Sequence, residues 1–549
     1  MWNQVYDPFN NPWLSTLAAA LPVVVMLMSL AFFHVRAHYA ALMGLLSALI
    51  VAIFLYAMPP QTAVAAAFLG AANGLLPIGW IVLNVIFLYQ LTERKGYFKI
   101  LQGSITTVTT DRRLQLLLVA FSFGAFFEGA GGFGTPVAVT GALLIGLGFA
   151  PLAASGLSLI ANTAPVAFGA LGTPIIALAG VTGLDMLQLS GMVGRQLPLF
   201  SLIVPFWLIC AFCGFKGMRE IWPAILVAAV AFSVPQYLIS NFHGPWLVDV
   251  GAAISSMACL TLFLKIWKPT VIWTNPAGKF TGASQVEVKQ EVHNYTRNQI
   301  IQAWLPWLIL SVIVFIWGVP EWKKYLDGIS IFKFEWPALH KLVQKMPPIV
   351  SKPTAEAALY NLNWLSATGS GILIACVVSG LLMGYKILDL FKVYWDTIKL
   401  LKFSLLTIAT MLSLGYITRY SGLDSTLGLA FAHTGVLYPF FGTLLGWLGV
   451  ALTGSDTASN VLFGGLQKTS AQQLGLNPIL MASANSSGGV MGKMVDAQSI
   501  VVAATATKWF GHEGEILRYV FVHSIALACL VGIVVTLQAY VYPFTLMVY

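Results

Sequence analysis

Phe127-Glu128-Gly129-Ala130-Gly131-Gly132-Phe133-Gly134-Thr135-Pro136 interrupts an otherwise apolar run at 114–149, and Leu452-Thr453-Gly454-Ser455-Asp456-Thr457-Ala458-Ser459-Asn460 interrupts a second at 438–475. A hydrocarbon layer offers no water to unpaired backbone groups, so a bend of this kind survives there only against protein or a wet cavity. Each run therefore suits a re-entrant helical hairpin, entering and leaving on one side, better than a complete crossing.

Working outward, the 549 residues are 58% hydrophobic and 9% charged, against about 25% charged in an average soluble domain. The mean hydropathy is +0.82. Apolar runs of roughly 20 residues, the length that spans a bilayer core, recur near 13–33, 38–57, 70–91, 151–180, 192–214, 221–240, 244–265, 299–318, 362–385, 402–418, 478–505 and 518–541. The expected fold is an all-α polytopic membrane protein with about twelve transmembrane helices plus two re-entrant hairpins. Residues 1–12 lack a basic segment and the apolar run behind them exceeds a signal-peptide core, so 13–33 reads as the first span.

Loops rich in Lys and Arg stay in the cytoplasm. With residue 1 outside, Arg94, Lys95, Lys99, Arg112 and Arg113, then Lys216 and Arg219, then Lys265 and Lys268, then Lys386, Lys392, Lys399 and Lys402 fall inside. The basic segment 321–356 falls outside, and long segments obey the rule weakly. The net charge of +9 is thus loop charge, not a nucleic-acid face. Five cysteines lie in or beside apolar runs and imply no disulfide framework.

Gly96–Gly129 aligns with Gly422–Gly454, and Leu147-Gly-Phe-Ala-Pro151 with Leu474-Gly-Leu-Asn-Pro478, at a near-constant offset. The helices preceding the two copies run in opposite directions under the loop-charge count, so the repeats are inverted. Inverted repeats with interrupted segments are the build of secondary transporters, whose site lies where the interruptions meet. The expected division is N-terminal scaffold helices at 1–61; a first repeat at 62–190 with hairpin 114–149 and broken helix 151–180; and scaffold helices at 191–385 with loops 268–298 and 320–360. An inverted second repeat follows at 386–505 with hairpin 438–475 and broken helix 478–505, then a C-terminal helix at 506–549.

Glycine lets a backbone turn tightly and approach a ligand, and the helix starting at Pro136 offers its N-terminus to an anion. Gly129, Gly131, Gly132, Gly134 and Thr135 are therefore candidates for holding a carboxylate, with Ser455 and Thr457 across from them. Close helix packing competes for each glycine taken singly. Polar breaks follow at Asn162-Thr163-Ala164-Pro165 and Asn485-Ser486-Ser487-Gly488-Gly489, where proline and the glycine pair favour unwinding. Asn162, Thr163, Asn485, Ser486 and Ser487 would then read the substrate; ordinary kinks are the competing explanation. An intramembrane acid is a functional candidate by default. Glu128 is the expected proton carrier and Asp456 the second. Lys493 can meet a carboxylate or pair with Asp496 on its own helix face. Arg419 and His433, near span ends where snorkelling accounts for them, complete the candidates. No metal site or cofactor is expected, since eight scattered histidines supply no ligand motif and no clustered nucleophile and base supports a membrane enzyme.

Tyr6-Asp7-Pro8, the Phe127–Gly134 run, Asn162-Thr-Ala-Pro-Val-Ala-Phe-Gly169, Gly194-Arg-Gln-Leu-Pro198 and Leu452-Thr-Gly-Ser-Asp-Thr457 together resemble the L-lactate permease family from Tyr6 to Tyr540. The resemblance implies symport of L-lactate with a proton across a bacterial inner (plasma) membrane, with D-lactate and glycolate as further substrates. That family is in turn similar to a superfamily of two-hairpin ion transporters that move substrate by an elevator-like shift. Partners implied are a 2-hydroxy monocarboxylate, a proton, the lipid bilayer and a homodimer through the scaffold. The alternative is a sodium- or proton-coupled carrier of another mono- or dicarboxylate.

Overall fold

The computed structural model describes residues 1–549 apart from 32, 34, 107, 131–134, 274–294, 351 and 510–511. Without water to take up backbone groups, each long apolar run closes its own hydrogen bonds as helix. Among the described residues, ten helices are long and apolar enough to span a membrane, eleven if the bent pair Pro151–Ala161 and Val166–Thr182 counts as one. The chain is an all-α polytopic membrane protein. The set differs in detail from the expected twelve: Thr368–Leu382 is shorter, while the hairpin arms Arg112–Ala130 and Gly435–Thr453 are long enough to qualify, and the helix Pro12–Ala31 covers most of the expected first span.

Large apolar side chains such as Trp13, Phe54, Phe242 and Ile266 are exposed by 76–85%, which suits hydrocarbon contact. The arm Arg112–Ala130 is the opposite case, for its apolar window is wholly buried, whereas Arg297–Trp317 buries only 28% of its own. Phe126 packs edge-on to Trp307 at 5.2 Å and tilted to Trp304 at 5.5 Å. The Ser122 and Ser256 hydroxyls share a hydrogen bond of 2.8 Å.

The helices Tyr438–Thr453 and Asp456–Gln473 form a helical hairpin reversing at Gly454, whose φ is +73°. Its antiparallel register is set by Gln467 Nε2 donating to the Gly442 carbonyl at 2.6 Å and Ser459 Oγ to that of Gly446 at 3.0 Å. In the other hairpin, Arg112–Ala130 contains a wide π turn at Leu117–Phe123, and Thr135–Gly146 packs back on it, with Gly124 against Thr140. Gly131, Gly132 and Gly134 lie outside the described residues.

Pro151–Ala161 stops before a turn over 162–165. A short 3-10 segment, Val166–Phe168, leads into Gly169–Thr182, bent 62° from the first helix. Ala170, Leu171 and Gly172 take left-handed φ values of 45°, 54° and 79°. Only glycine fits at 172, where a Cβ would stand 2.6 Å from that of Pro245.

The structure corrects the expected unwinding at Asn485–Gly489. Pro478–Gly492 is one continuous helix, and the interruption falls later, at Lys493–Asp496, before Ala497–Ala506. The reason is packing. A Cβ on Gly488 would collide with the Thr443 carbonyl and one on Gly492 with that of Trp447, so these glycines let the hairpin lie backbone to backbone on the helix.

Two small sheets add to the helices. Trp2–Asn3 pairs in parallel with Val343–Lys345, which pairs antiparallel with Thr354–Ala355, and Ile331–Glu335 pairs antiparallel with Leu359–Asn363. Residue 2 and the segment 331–363 thus share a face. Arg419 is anchored there, 2.8 Å from Glu356 and donating to the Gly180 carbonyl at 2.9 Å. Elsewhere Arg113 joins three basic loops, 2.8 Å from Asp111, 2.7 Å from Glu220 and donating to the Val271 carbonyl.

Candidate functional site

The interruptions meet around a cavity of about 160 Å³. Hairpin-tip residues Thr453–Thr457 form one side; Gly169, Ala170, Thr173 and Pro174 form another; Glu128, Lys493 and Gln498 close it. The facing wall, Ser404, Thr407, Ile408, Met411 and Leu412, comes from the long helix Ile387–Ser421. The charged groups lie on the hairpin side, and the wall offers two hydroxyls beside Ile408, Met411 and Leu412.

Each polar group is positioned by local structure. Ser455 caps Asp456–Gln473 by accepting from the Ala458 amide, a role suited to a short hydroxyl side chain. This leaves Asp456 in the first helical turn. Asp456 Oδ2 accepts from Ser486 Oγ at 2.5 Å and Asn460 Nδ2 at 3.2 Å, while Oδ1 has no partner among the described residues. Lys493, just past its helix, donates to the Gly454 carbonyl at 2.5 Å and lies 3.4 Å from Asp496. Asp496 also caps Ala497–Ala506 through the Ser499 amide.

Behind the tip runs a buried amide chain. Tyr438 donates to Gln467, Gln467 to Asn485 Oδ1 at 3.1 Å, Asn485 to Asn460 Oδ1 at 3.0 Å, and Asn460 to Asp456. Satisfied networks of this kind rigidify what they touch. The acid at the tip is therefore fixed from the helix Pro478–Gly492.

Among the sequence candidates, Glu128, Ser455, Asp456, Thr457 and Lys493 line the cavity. Asn485 and Ser486 sit one layer back, and Ser487 turns away to donate to Gln196 at 2.6 Å. Asn162 and Thr163 are buried in the turn after Pro151–Ala161; Thr163 donates to the Ile160 carbonyl, while Asn162 has no partner among the described residues. Gly129 packs on Asp249 and Val250, and Thr135 opens Thr135–Gly146. Arg419 is taken up by Glu356, and His433 is exposed in the turn after Leu423–Ala432.

Sequence reasoning missed Gln498, the crossover Gly169–Pro174 and Asp249. A signal existed for the crossover: Gly-Thr-Pro at 134–136 recurs at 172–174. Asp249, 1% exposed, is a lone acid near the start of an apolar run, the same pattern that singled out Glu128.

Comparisons with known proteins agree on one family. The L-lactate permease family profile matches residues 15–542. The chain is 45% identical to an L-lactate permease of Escherichia coli (strain K12) over 98% of both chains. It is 46% identical to the glycolate permease GlcA of that strain, again over 98% of both. It is 45% identical to an L-lactate permease of Bacillus subtilis (strain 168), over 98% of this chain and 99% of the other. In fold it resembles Neisseria gonorrhoeae MtrF, with TM-score 0.50 at 12% identity over 93% of this chain and 96% of the other. With ten or more spanning helices and a family match across nearly its whole length, this multi-pass bacterial membrane protein belongs to the L-lactate permease family.

Proposed function

We propose that the protein is a secondary carrier of the bacterial inner membrane that imports L-lactate, and also D-lactate and glycolate, together with a proton. The observation that carries this reading is the cavity where the second hairpin tip, the left-handed crossover, Glu128 and Lys493 converge. At about 160 Å³ it lies below the 300–1,000 Å³ range of pockets for drug-sized ligands and suits a molecule of two or three carbons. Relatives named for lactate and glycolate, both small 2-hydroxy acids, supply the substrate class.

In this mechanism Lys493 supplies positive charge for the carboxylate, and Ser455 and Thr457 offer hydroxyls to the substrate's own hydroxyl. Glu128 takes a proton before the loaded site moves, because carrying a net charge through the membrane field costs about 2.3 kcal/mol per 100 mV. One proton per lactate makes the cycle electroneutral. The repeats 62–190 and 386–505 carry the site in an elevator-like shift against a scaffold of 1–61 and 191–385.

Purified protein in liposomes tests the reading. Labelled L-lactate should accumulate under an imposed inward proton gradient, exchange in counterflow, and yield to excess glycolate but not succinate. Accumulation that follows a sodium gradient at constant pH would replace the proton with sodium; absence of counterflow would remove the carrier.

A further inference from the structure

Glu128 does not stand alone. The helix Val248–Ile266 begins against its arm so closely that a Cβ on Gly129 would lie 2.7 Å from that of Asp249. Among the described residues, neither Asp249 carboxylate oxygen, nor Glu128 Oε2, nor either amide atom of Asn162 has a hydrogen-bond partner. These side chains are 1%, 4% and 2% exposed. Buried polar groups are ordinarily paired, so three unpaired ones at one place call for an exchangeable occupant.

Charge accounting narrows the occupant. Of the segments packed on Val248–Ile266, the helices Trp222–Phe242 and Gly169–Thr182 and the turn Leu117–Phe123 bring no charged side chain, and Gly124–Ala130 brings Glu128 alone. Beyond Glu128 stand Asn162, Lys493 and Asp496. Glu128, Asp456 and Asp496 thus share Lys493, which already holds Asp496 and the Gly454 carbonyl, while Asp249 faces Glu128. Two neighbouring carboxylates titrate as a unit. An arriving substrate anion adds to the excess.

We propose that Asp249 and Glu128 jointly hold the coupling proton, Asp249 being the second half of the proton site. This rests on the proton-coupled reading above. One proton bridges an oxygen of each acid, arriving as a free proton from one face and leaving as one to the other, with no bond to substrate made or broken. The competing role for Asp249 is structural, as an acid favoured in the first turn of a helix.

The experiment uses full-length protein in liposomes with L-lactate as probe, comparing proton-gradient-driven accumulation with counterflow at equal pH. Asp249→Asn should lower accumulation by about tenfold or more and counterflow far less, flatten the pH dependence of uptake, and be rescued by Asp249→Glu. An unchanged pH profile and accumulation in Asp249→Asn overturns the assignment. So does equal loss of both readouts with no rescue, the mark of a helix-start role, or sodium dependence that the variant abolishes. If wild-type protein shows counterflow but no proton-driven accumulation, the coupling reading itself fails, which is a separate result.

Discussion

Ser486 donates its hydroxyl to the Asp456 carboxylate at 2.5 Å, joining the helix Pro478–Gly492 to the tip of the hairpin before it. This bond holds the acid of one interrupted element from the body of the next. Ser486→Ala should slow lactate uptake roughly tenfold, since losing a hydrogen bond to a charged group costs about 1.5–3 kcal/mol. Ser486→Thr, which keeps the hydroxyl, should retain more activity. Initial rates in liposomes decide it, and wild-type rates in the Ala variant would show that the bond is idle.

Lys493 is the cavity's one lysine among the lining residues. Lys493→Met should raise the KM for lactate about tenfold or more, a loss of about 1.4 kcal/mol in binding. Lys493→Arg keeps the charge, but its planar fork replaces a point donor at the Gly454 carbonyl, so an intermediate KM is expected. Equal KM values in all three proteins would place the substrate elsewhere.

Gly488 and Gly146 offer a matched pair. A methyl group on Gly488 meets the Thr443 backbone carbonyl, whereas nothing lies within 4 Å at Gly146. Gly488→Ala should destabilise by about 1–3 kcal/mol through overpacking. Gly146→Ala should be neutral or slightly stabilising, because alanine is the better helix former by about 1 kcal/mol. Thermal unfolding in detergent measures both.

Glu356 anchors the sheet-bearing face. Its burial pushes the carboxyl up, but Arg419 at 2.8 Å and Lys345 at 3.3 Å outweigh that and hold it below the ordinary range. With the folded value depressed, the contribution is complete above the unfolded value of about 4.3 and is lost as pH falls through the lower folded value. Melting temperature should therefore drop on acidification below about pH 4, and Glu356→Gln should remove that part of the slope. Arg419→Met, which leaves the buried acid to Lys345 alone, should cost about 1.5–3 kcal/mol near neutral pH, the loss of a charged hydrogen bond.

Most of the architecture was legible because hydrocarbon punishes polar residues: Glu128 and Asp456 stood out in apolar runs, and both now line one cavity. Alternating the spans put residue 1 and the basic segment 321–356 on one side although loop charge argued against it for that segment, and Trp2–Asn3 pairs with Val343–Lys345. What stayed hidden depends on distant packing. Gly488-Gly489 reads equally as a loosened helix or as a close-contact seam, and only the position of Thr443 decides. The roles of Arg419 and Asp249 rest on Glu356 and Gly129, 63 and 120 positions away, beyond the reach of local pattern.

The complete enclosure of Arg112–Ala130 bears on biogenesis. The stretch bearing Glu128 has no side suited to lipid, and its neighbours Ser256, Trp304 and Trp307 emerge from the ribosome well after it. It must remain sheltered near the insertion machinery, or at the bilayer edge, until those partners are made. Nascent chains truncated before Trp304 should accordingly leave this arm open to aqueous labelling, and longer ones should protect it.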